Sequence, residues 1–226
     1  MAVGEEVLLA SPLAVLGKLL AILATPETYR VLLTSGAGIL GGFLSGLLLG
    51  AVLALAASRF RAVELLLFPY MVTIRSVPVA SFIVVAWVWL DAATLPGFIS
   101  FLIVLPIVYN NLLAGLSARD RALDEMASVY RIPYFRRLLY ILRPQLRPTL
   151  LSAAETAVGL AWKSGVAAEI ICYPENSLGR LIYQARQNLY TSANVFALTL
   201  IVVVFSIILE KLLKYLLSKG RRVPVK

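Results

Sequence analysis

TSGAGILGGFLSGLLLGAVLALAAS, residues 34–58, runs for 25 residues without a charge. A helix needs ~20 apolar residues to cross the hydrocarbon core of a bilayer. Gly38, Gly42, Gly46 and Gly50 recur at every fourth position, and Ala54 continues the series. That spacing lays small residues along one helix face, where a neighbouring backbone can come very close. The stretch reads as a membrane-spanning helix made for tight packing, and it predicts an all-α, polytopic transmembrane helical bundle.

The composition of the whole chain agrees. Hydrophobic residues make up 60% of the 226 and charged residues 15%, with a mean hydropathy of +0.87. Soluble domains carry roughly 45–50% apolar and about 25% charged residues. The alternating ~10-residue segments of an outer-membrane barrel are absent. With no histidine and the single cysteine Cys172, the chain lacks the material for a zinc site or histidine-based catalysis. Glu5 and Glu6, with no early Lys or Arg, do not resemble a secretory signal.

Outward from the first stretch, further spans are expected at about 63–90, 97–116, 149–172 and 195–217. The 63–90 segment is broken at Arg75-Ser76-Val77-Pro78, because proline lacks an N–H and disfavours helical geometry at the residue before it. A broken helix is tolerated at membrane depth only where protein or a water-filled cavity satisfies the freed backbone. Pro26-Glu27-Thr28 reads as a turn and helix start. Residues 7–24 are apolar but interrupted by Pro12 and Lys18, which suits a helix lying at the membrane surface.

The net charge of +9 suggests nucleic acid in a soluble protein. Here 15 of the 21 Lys and Arg fall in residues 59–61, 117–148 and 211–226, all on one side if the spans alternate. By the positive-inside rule that side is cytoplasmic, nucleic acid is not the partner, and residues 117–148 and the C-terminus face the cytoplasm.

The interval 117–148 is the longest polar one and holds seven arginines. Within it, Glu125, Met126 and Ala127 precede a break at Arg131 and Pro133, and an amphipathic stretch then leads through Ile141 to Pro144. This resembles the cytoplasmic EAA loop of type I ABC importer permeases, E-A-A, three residues, G, nine residues, I-x-L-P. Glu125, Ala127, Ile141 and Pro144 fall at the family's spacing. Met126 replaces the middle alanine, Arg131 stands where the family has glycine, and Arg143 where it has leucine. The likeness extends to residues 65–78, 159–169 and 177–186, which resemble the nitrate/sulfonate/taurine-type branch. Coverage runs from about Pro12 to the C-terminus. Members of that branch carry a further membrane helix ahead of the region matching Ser11-Pro12-Leu13. Either this chain lacks it or the true start lies upstream. The expectation is five core spans, with residues 7–24 as an interfacial helix on the outer face.

The resemblance implies a membrane permease domain at 34–217, an N-terminal interfacial segment at 1–33 and a basic tail at 218–226. It implies that 117–148 couples the domain to separate ABC ATPase subunits. ATP and Mg belong to those subunits, since no G-x-x-x-x-G-K-[ST] phosphate loop occurs here. A second, identical permease copy and an extracytoplasmic solute-binding protein complete the expected partners, beside the lipid bilayer.

Ionisable groups at membrane depth default to functional hypotheses. Arg75 and Ser76 at the broken helix, Asn110, and Lys163, Ser164 and Glu169 are the candidate pathway residues, and a guanidinium or ammonium suits an oxyanion. Lys163 and Glu169 are six residues apart, so they point about 120° away from each other on a helix, and each needs a partner elsewhere. Structural ion pairing, snorkelling and capping are the ordinary alternatives. The competing functional class is an intramembrane channel or scaffold without ATP-coupled transport; an enzyme lacks a nucleophile–base pair.

Overall fold

The computed structural model describes residues 10–187 and 192–219, and every regular element among them is helical. In chain order they are α1 (Pro12–Leu23), α2 (Pro26–Arg59), α3 (Arg61–Ser76), α4 (Val79–Ala86), α5 (Leu95–Ser117), α6 (Arg121–Val129), α7 (Tyr134–Arg137) with the π-helical turn Leu138–Leu142, α8 (Arg143–Cys172), α9 (Leu178–Gln187) and α10 (Ser192–Lys219).

The expected span at 34–58 is part of a longer helix. Pro26 opens α2 and the chain stays helical for 34 residues, about 51 Å at 1.5 Å per residue. Tyr29-Arg30 is one polar turn of it, not a break. The corner before it is held by hydroxyls: Thr28 Oγ1 donates to the Ile22 carbonyl at 2.7 Å and Thr25 Oγ1 to the same oxygen at 2.6 Å. Of the expected surface helix, residues 7–9 lie outside the described residues. α1 itself covers 12 residues, about 18 Å, too short to cross a ~30 Å core. Ser11 starts it by accepting from the Ala14 N–H at 3.3 Å. Val15, Leu19 and Ile22 pack it on Ala193 and Ala197 of α10.

The glycine stripe meets α5. A Cβ on Gly42 would fall on the Gly97 carbonyl oxygen, one on Gly46 would sit 2.9 Å from the Phe101 carbonyl oxygen, and one on Gly50 2.9 Å from that of Leu105. The contacts advance by four residues on both helices in the same direction, so α2 and α5 run parallel, i±4 ridge against i±4 groove. Gly38 differs. Its own Cβ position is open, and its carbonyl oxygen instead lies 2.9 Å from where a Cβ of Gly97 would be.

Two parallel helices require a return between them, which α3 and α4 supply. Val77 is extended (φ −81°, ψ 133°) ahead of Pro78, as a pre-proline residue prefers, and the two helices bend by 103° there. α8 then runs back through the bundle. At Gly165 an added Cβ would meet Ile39 Cδ1 and Ser100 Oγ at 2.8 Å, and Ser100 Oγ donates to the Ala161 carbonyl at 3.1 Å. Trp162 is buried, stacks near Phe205 with centroids 4.7 Å apart, and donates its Nε1–H to the Val202 carbonyl at 3.1 Å. It is a packing residue that ties α8 to α10.

Among the described residues, α2, α5 and α10 are long and apolar enough to cross a membrane, and the bent α3–α4 pair makes a fourth span if counted as one. α8 matches them in length but carries Glu155, Lys163 and Glu169 in its middle and outer parts. Neighbouring helices enclose Glu169 and half-bury Glu155, while Lys163 stays exposed. Ala57, Val63, Leu116, Leu142, Leu146 and Leu213 share one apolar cluster. The end of α2, the end of α5, the start of α8 and the last turns of α10 therefore meet at one end of the bundle, the end that carries the basic intervals.

Candidate functional site

At that end, residues 117–148 form a compact cap. Asp120 is the N-cap of α6, its Oδ1 accepting from the Ala122 N–H at 2.9 Å, a standard satisfaction of a free helix donor. The Asp120 N–H donates in turn to Gln145 Oε1 at 3.0 Å. The two ends of the cap are thereby tied together across 25 residues.

α6 stops at a Schellman turn. The Ile132 N–H donates to the Ala127 carbonyl at 2.9 Å and the Arg131 N–H to the Ser128 carbonyl at 3.1 Å, the paired bonds of that motif. Its C′ position needs a left-handed residue, and Arg131 adopts φ 49°. The substitution of arginine for glycine leaves the turn geometry in place, at a cost to the backbone.

The expected coupling residues divide by exposure. Glu125 and Met126 project outward, Ala127 is buried at 1% and Ile141 at 9%. Arg131, Pro133 and Ile141 line one recess of about 550 Å³ with Tyr130, Ile132, Arg136 and Tyr140. Pro144 is exposed in the first turn of α8, directly after the π-helical turn. Around them stand exposed apolar side chains: Val129 at 78%, Tyr130 at 75%, Phe135 at 74% and Tyr140 at 76%, with Leu123, Met126 and Leu139 beside them. Exposed apolar groups gathered this way mark an interaction surface.

The six expected pathway residues are not gathered. Among the described residues no hydrogen bond or ion pair joins any two of them. Arg75 and Ser76 are exposed at the end of α3, where Ser76 Oγ donates to the Thr73 carbonyl at 3.0 Å. Asn110 folds back on its own helix, Nδ2 donating to the Pro106 carbonyl at 2.7 Å. Lys163 is exposed on α8 and Ser164 half-buried beside it. Glu169 points the other way, 3% exposed.

Glu169 holds the start of α9. Its Oε2 accepts from the Gly179 N–H at 3.1 Å. The Ser35 hydroxyl bonds to the same carboxylate and accepts the Leu178 N–H at 3.0 Å. A carboxylate at a helix N-terminus meets both unpaired donors and the positive end of the dipole. Gly179 is packed against the backbone of Glu169 and Ile170 so closely that a Cβ would overlap it. Sequence reasoning missed Ser35 and Gly179; the one signal for the latter was a glycine just inside a helix that follows the turn Glu175-Asn176. Ion pairs among the described residues include Arg61 to Glu64 at 2.8 Å, Arg180 to Glu175 at 3.6 Å and Lys214 to Glu155 at 3.9 Å, all at partly or fully exposed side chains. Among the described residues no cluster of three or more His, Cys, Asp and Glu side chains is placed to hold a metal ion.

Residues 46–222 match the model of a family described as the inner membrane component of binding-protein-dependent transport systems. The chain is 28% identical over 148 residues to the aliphatic sulfonates transport permease protein SsuC of Bacillus subtilis (strain 168), covering 65% of this chain and 53% of that protein. Against SsuC of Escherichia coli (strain K12) the identity is 29% over 129 residues, 56% of this chain and 48% of that one. Against the nitrate import permease protein NrtB of Synechococcus elongatus it is 28% over 142 residues, 62% and 49%. The chain spans about half the length of these relatives.

Proposed function

The chain belongs to the family of inner membrane components of binding-protein-dependent transport systems, and from that premise we propose that it is the permease subunit of an ATP-driven importer for a small anion. Aliphatic sulfonates and nitrate, the solutes in the names of its relatives, define the favoured class. An external binding protein delivers the solute. Two copies of the chain enclose the path, because one bundle leaves α8 open along a polar stripe. The membrane part performs no chemistry; ATP with Mg is bound and hydrolysed by a separate ATPase.

The observation that supports this most is the cap at residues 117–148. It is a helix–turn–helix, tied at its base by Asp120 and Gln145, with its first helix stopped by a Schellman turn. It presents aromatic and apolar side chains beside arginines at one end of the bundle. A lipid-facing or merely solvated loop has no need of that combination. A short, doubly anchored element continuous with α8 passes the rigid-body movement of an ATPase into the membrane helices. That end, with the C-terminus, is the cytoplasmic one.

The test is reconstitution of the chain with an ABC ATPase and a binding protein of the same system in proteoliposomes, using labelled methanesulfonate and nitrate. Uptake is expected only with ATP on the ATPase side. Replacing Glu125 by lysine or Tyr130 by aspartate is expected to abolish uptake and weaken co-purification of the ATPase. Ion conductance in planar bilayers without any ATPase would overturn the proposal in favour of a channel.

A further inference from the structure

Between residues 150 and 172, α8 shows solvent one narrow stripe. At 100° per residue Ser152, Thr156, Leu160, Lys163 and Ala167 fall within an arc of about 80°. The first four are exposed and Ala167 half-buried, while every other position in that interval is buried or half-buried. The Thr156 hydroxyl donates its proton to the Ser152 carbonyl at 3.0 Å, which leaves the Ser152 hydroxyl as the donor that an anion can use along the stripe.

This stripe is unlike the faces that meet lipid. α10 exposes Leu200, Val203, Val204, Ile207 and Ile208, and α2 exposes Leu44, Leu48, Leu49, Val52 and Leu55. Those are continuous aliphatic surfaces. The α8 stripe carries two hydroxyls and a full positive charge; at its edge the Glu210 carboxylate of α10 packs on Gly159, one turn from Lys163, without forming an ion pair with it among the described residues. Glu155, the nearest acid on the same helix outside the arc, is directed to Lys214.

Snorkelling does not rescue Lys163. It stands nine residues before the end of α8 at Cys172, about 13 Å along the axis, and an extended lysine reaches only about 6 Å. Toward the other end, Ser152 is farther still. Lys163 makes no ion pair or hydrogen bond among the described residues. An ammonium held there in contact with hydrocarbon costs several kcal/mol, so water or an anion must face it.

We infer that the α8 stripe lines the aqueous path and that Lys163 is its selectivity-determining residue, drawing in small sulfonate- or nitrate-like monoanions and turning away cations. The inference rests on the permease reading above and adds to it the residue that imposes charge preference. The Ser152 hydroxyl supplies a hydrogen-bond donor for the solute's passage toward the basic end.

The test places a thiol one turn away, as Leu160→Cys in a Cys172→Ala background, in membranes holding the assembled transporter. Two probes are compared: anionic 2-sulfonatoethyl methanethiosulfonate, itself an alkyl sulfonate, and the cationic 2-(trimethylammonium)ethyl reagent. With Lys163 present, the anionic reagent is expected to be favoured roughly five- to twentyfold, relative to the same pair on a free thiol. That is the size of a single charge acting through partly aqueous surroundings on two probes of opposite sign. Lys163→Gln removes the preference and Lys163→Arg keeps it; Thr156→Cys repeats the measurement if Leu160→Cys does not assemble. An unchanged ratio in Lys163→Gln overturns the inference and leaves the permease reading standing. Failure of both charged reagents, where a lipid-soluble maleimide still reacts, also overturns it, because the stripe then faces lipid. ATPase coupling plays no part in the labelling, so the two readings fail separately.

Discussion

Gly42 and Gly38 belong to the same stripe, one turn apart, yet the structure assigns them opposite tolerance to a single methyl group. At Gly42 an added Cβ lands on the Gly97 carbonyl oxygen, with the Gly97 carbonyl carbon only 2.8 Å away. Both are backbone, so no side chain can rotate aside. To reach ordinary contact, α2 and α5 must separate locally by about 1 Å or more. Overpacking of a core costs about 1–3 kcal/mol, and a backbone obstacle belongs at the top of that range. Separation also weakens neighbouring contacts at Gly46 and Gly50, each atom pair worth only about 0.1–0.2 kcal/mol but many in number. About 3 kcal/mol is the expected loss for Gly42→Ala. Gly38→Ala meets nothing within 4 Å and exchanges a poor helix former for a good one, a gain of up to about 1 kcal/mol. The assay is thermal unfolding of the detergent-purified protein, followed by tryptophan fluorescence. At about 2–4 °C per kcal/mol for a chain of this size, Gly42→Ala is expected to lower the midpoint by roughly 6–12 °C, and Gly38→Ala to leave it unchanged or slightly raised. Because membrane proteins often unfold irreversibly, the scan rate is held fixed and the two variants are compared with each other. Equal damage from both substitutions, or none from Gly42→Ala, would refute the parallel α2–α5 register.

Other expectations follow from the cap and from the start of α9. Arg131→Gly removes a left-handed non-glycine residue and should stabilise the Schellman turn by roughly 0.5–1 kcal/mol, after glycine's greater unfolded freedom is subtracted; slower proteolysis within 121–136 is the measurement. Gln145→Ala cuts the bond to the Asp120 N–H and should speed cleavage in the same interval while leaving the unfolding midpoint within about 2 °C, since one hydrogen bond contributes about 1 kcal/mol. Glu169→Ala strips the Gly179 and Ser35 partners and should cost about 3 kcal/mol, as removal of a buried charged acceptor does; Glu169→Gln, which keeps an acceptor oxygen, should recover at least half of that in the same thermal assay. A Glu169→Ala protein as stable as the parent would show that α9 is held by other means.

Much of the architecture was legible because it depends on local chemistry. Pro78 breaks a span wherever it falls, since the missing N–H and the restriction on Val77 act within three residues. The four-residue glycine period announces a close helix partner by itself, although nothing in residues 34–58 says that the partner is α5 or that it runs parallel. The helix start at Pro26 is legible, but the apolar span reads from Thr34 as a separate segment, because Tyr29 and Arg30 are polar and span reading relies on hydropathy. Helix continuity answers to backbone geometry instead, and the only breaker nearby, Pro26, sits where proline begins helices. Arg131 in a glycine position put the turn in question from sequence alone; two backbone bonds to Ala127 and Ser128 hold it open to inspection only in three dimensions.

Lys163 and Glu169 show the division most plainly. Their six-residue spacing dictates that they leave α8 about 120° apart, and that much follows from the helix alone. Which of them turns inward does not. The carboxylate is enclosed because Ser35 from α2 and the N-terminus of α9 converge on it with hydrogen-bond donors, bringing together residues 35, 169, 178 and 179. The ammonium is left outside: among the described residues nothing encloses its side of the helix, and the Glu210 carboxylate that packs one turn away on Gly159 does not pair with it. Helical periodicity is a property of the chain, whereas satisfying a buried charge takes groups from distant segments, so the tertiary structure made that choice.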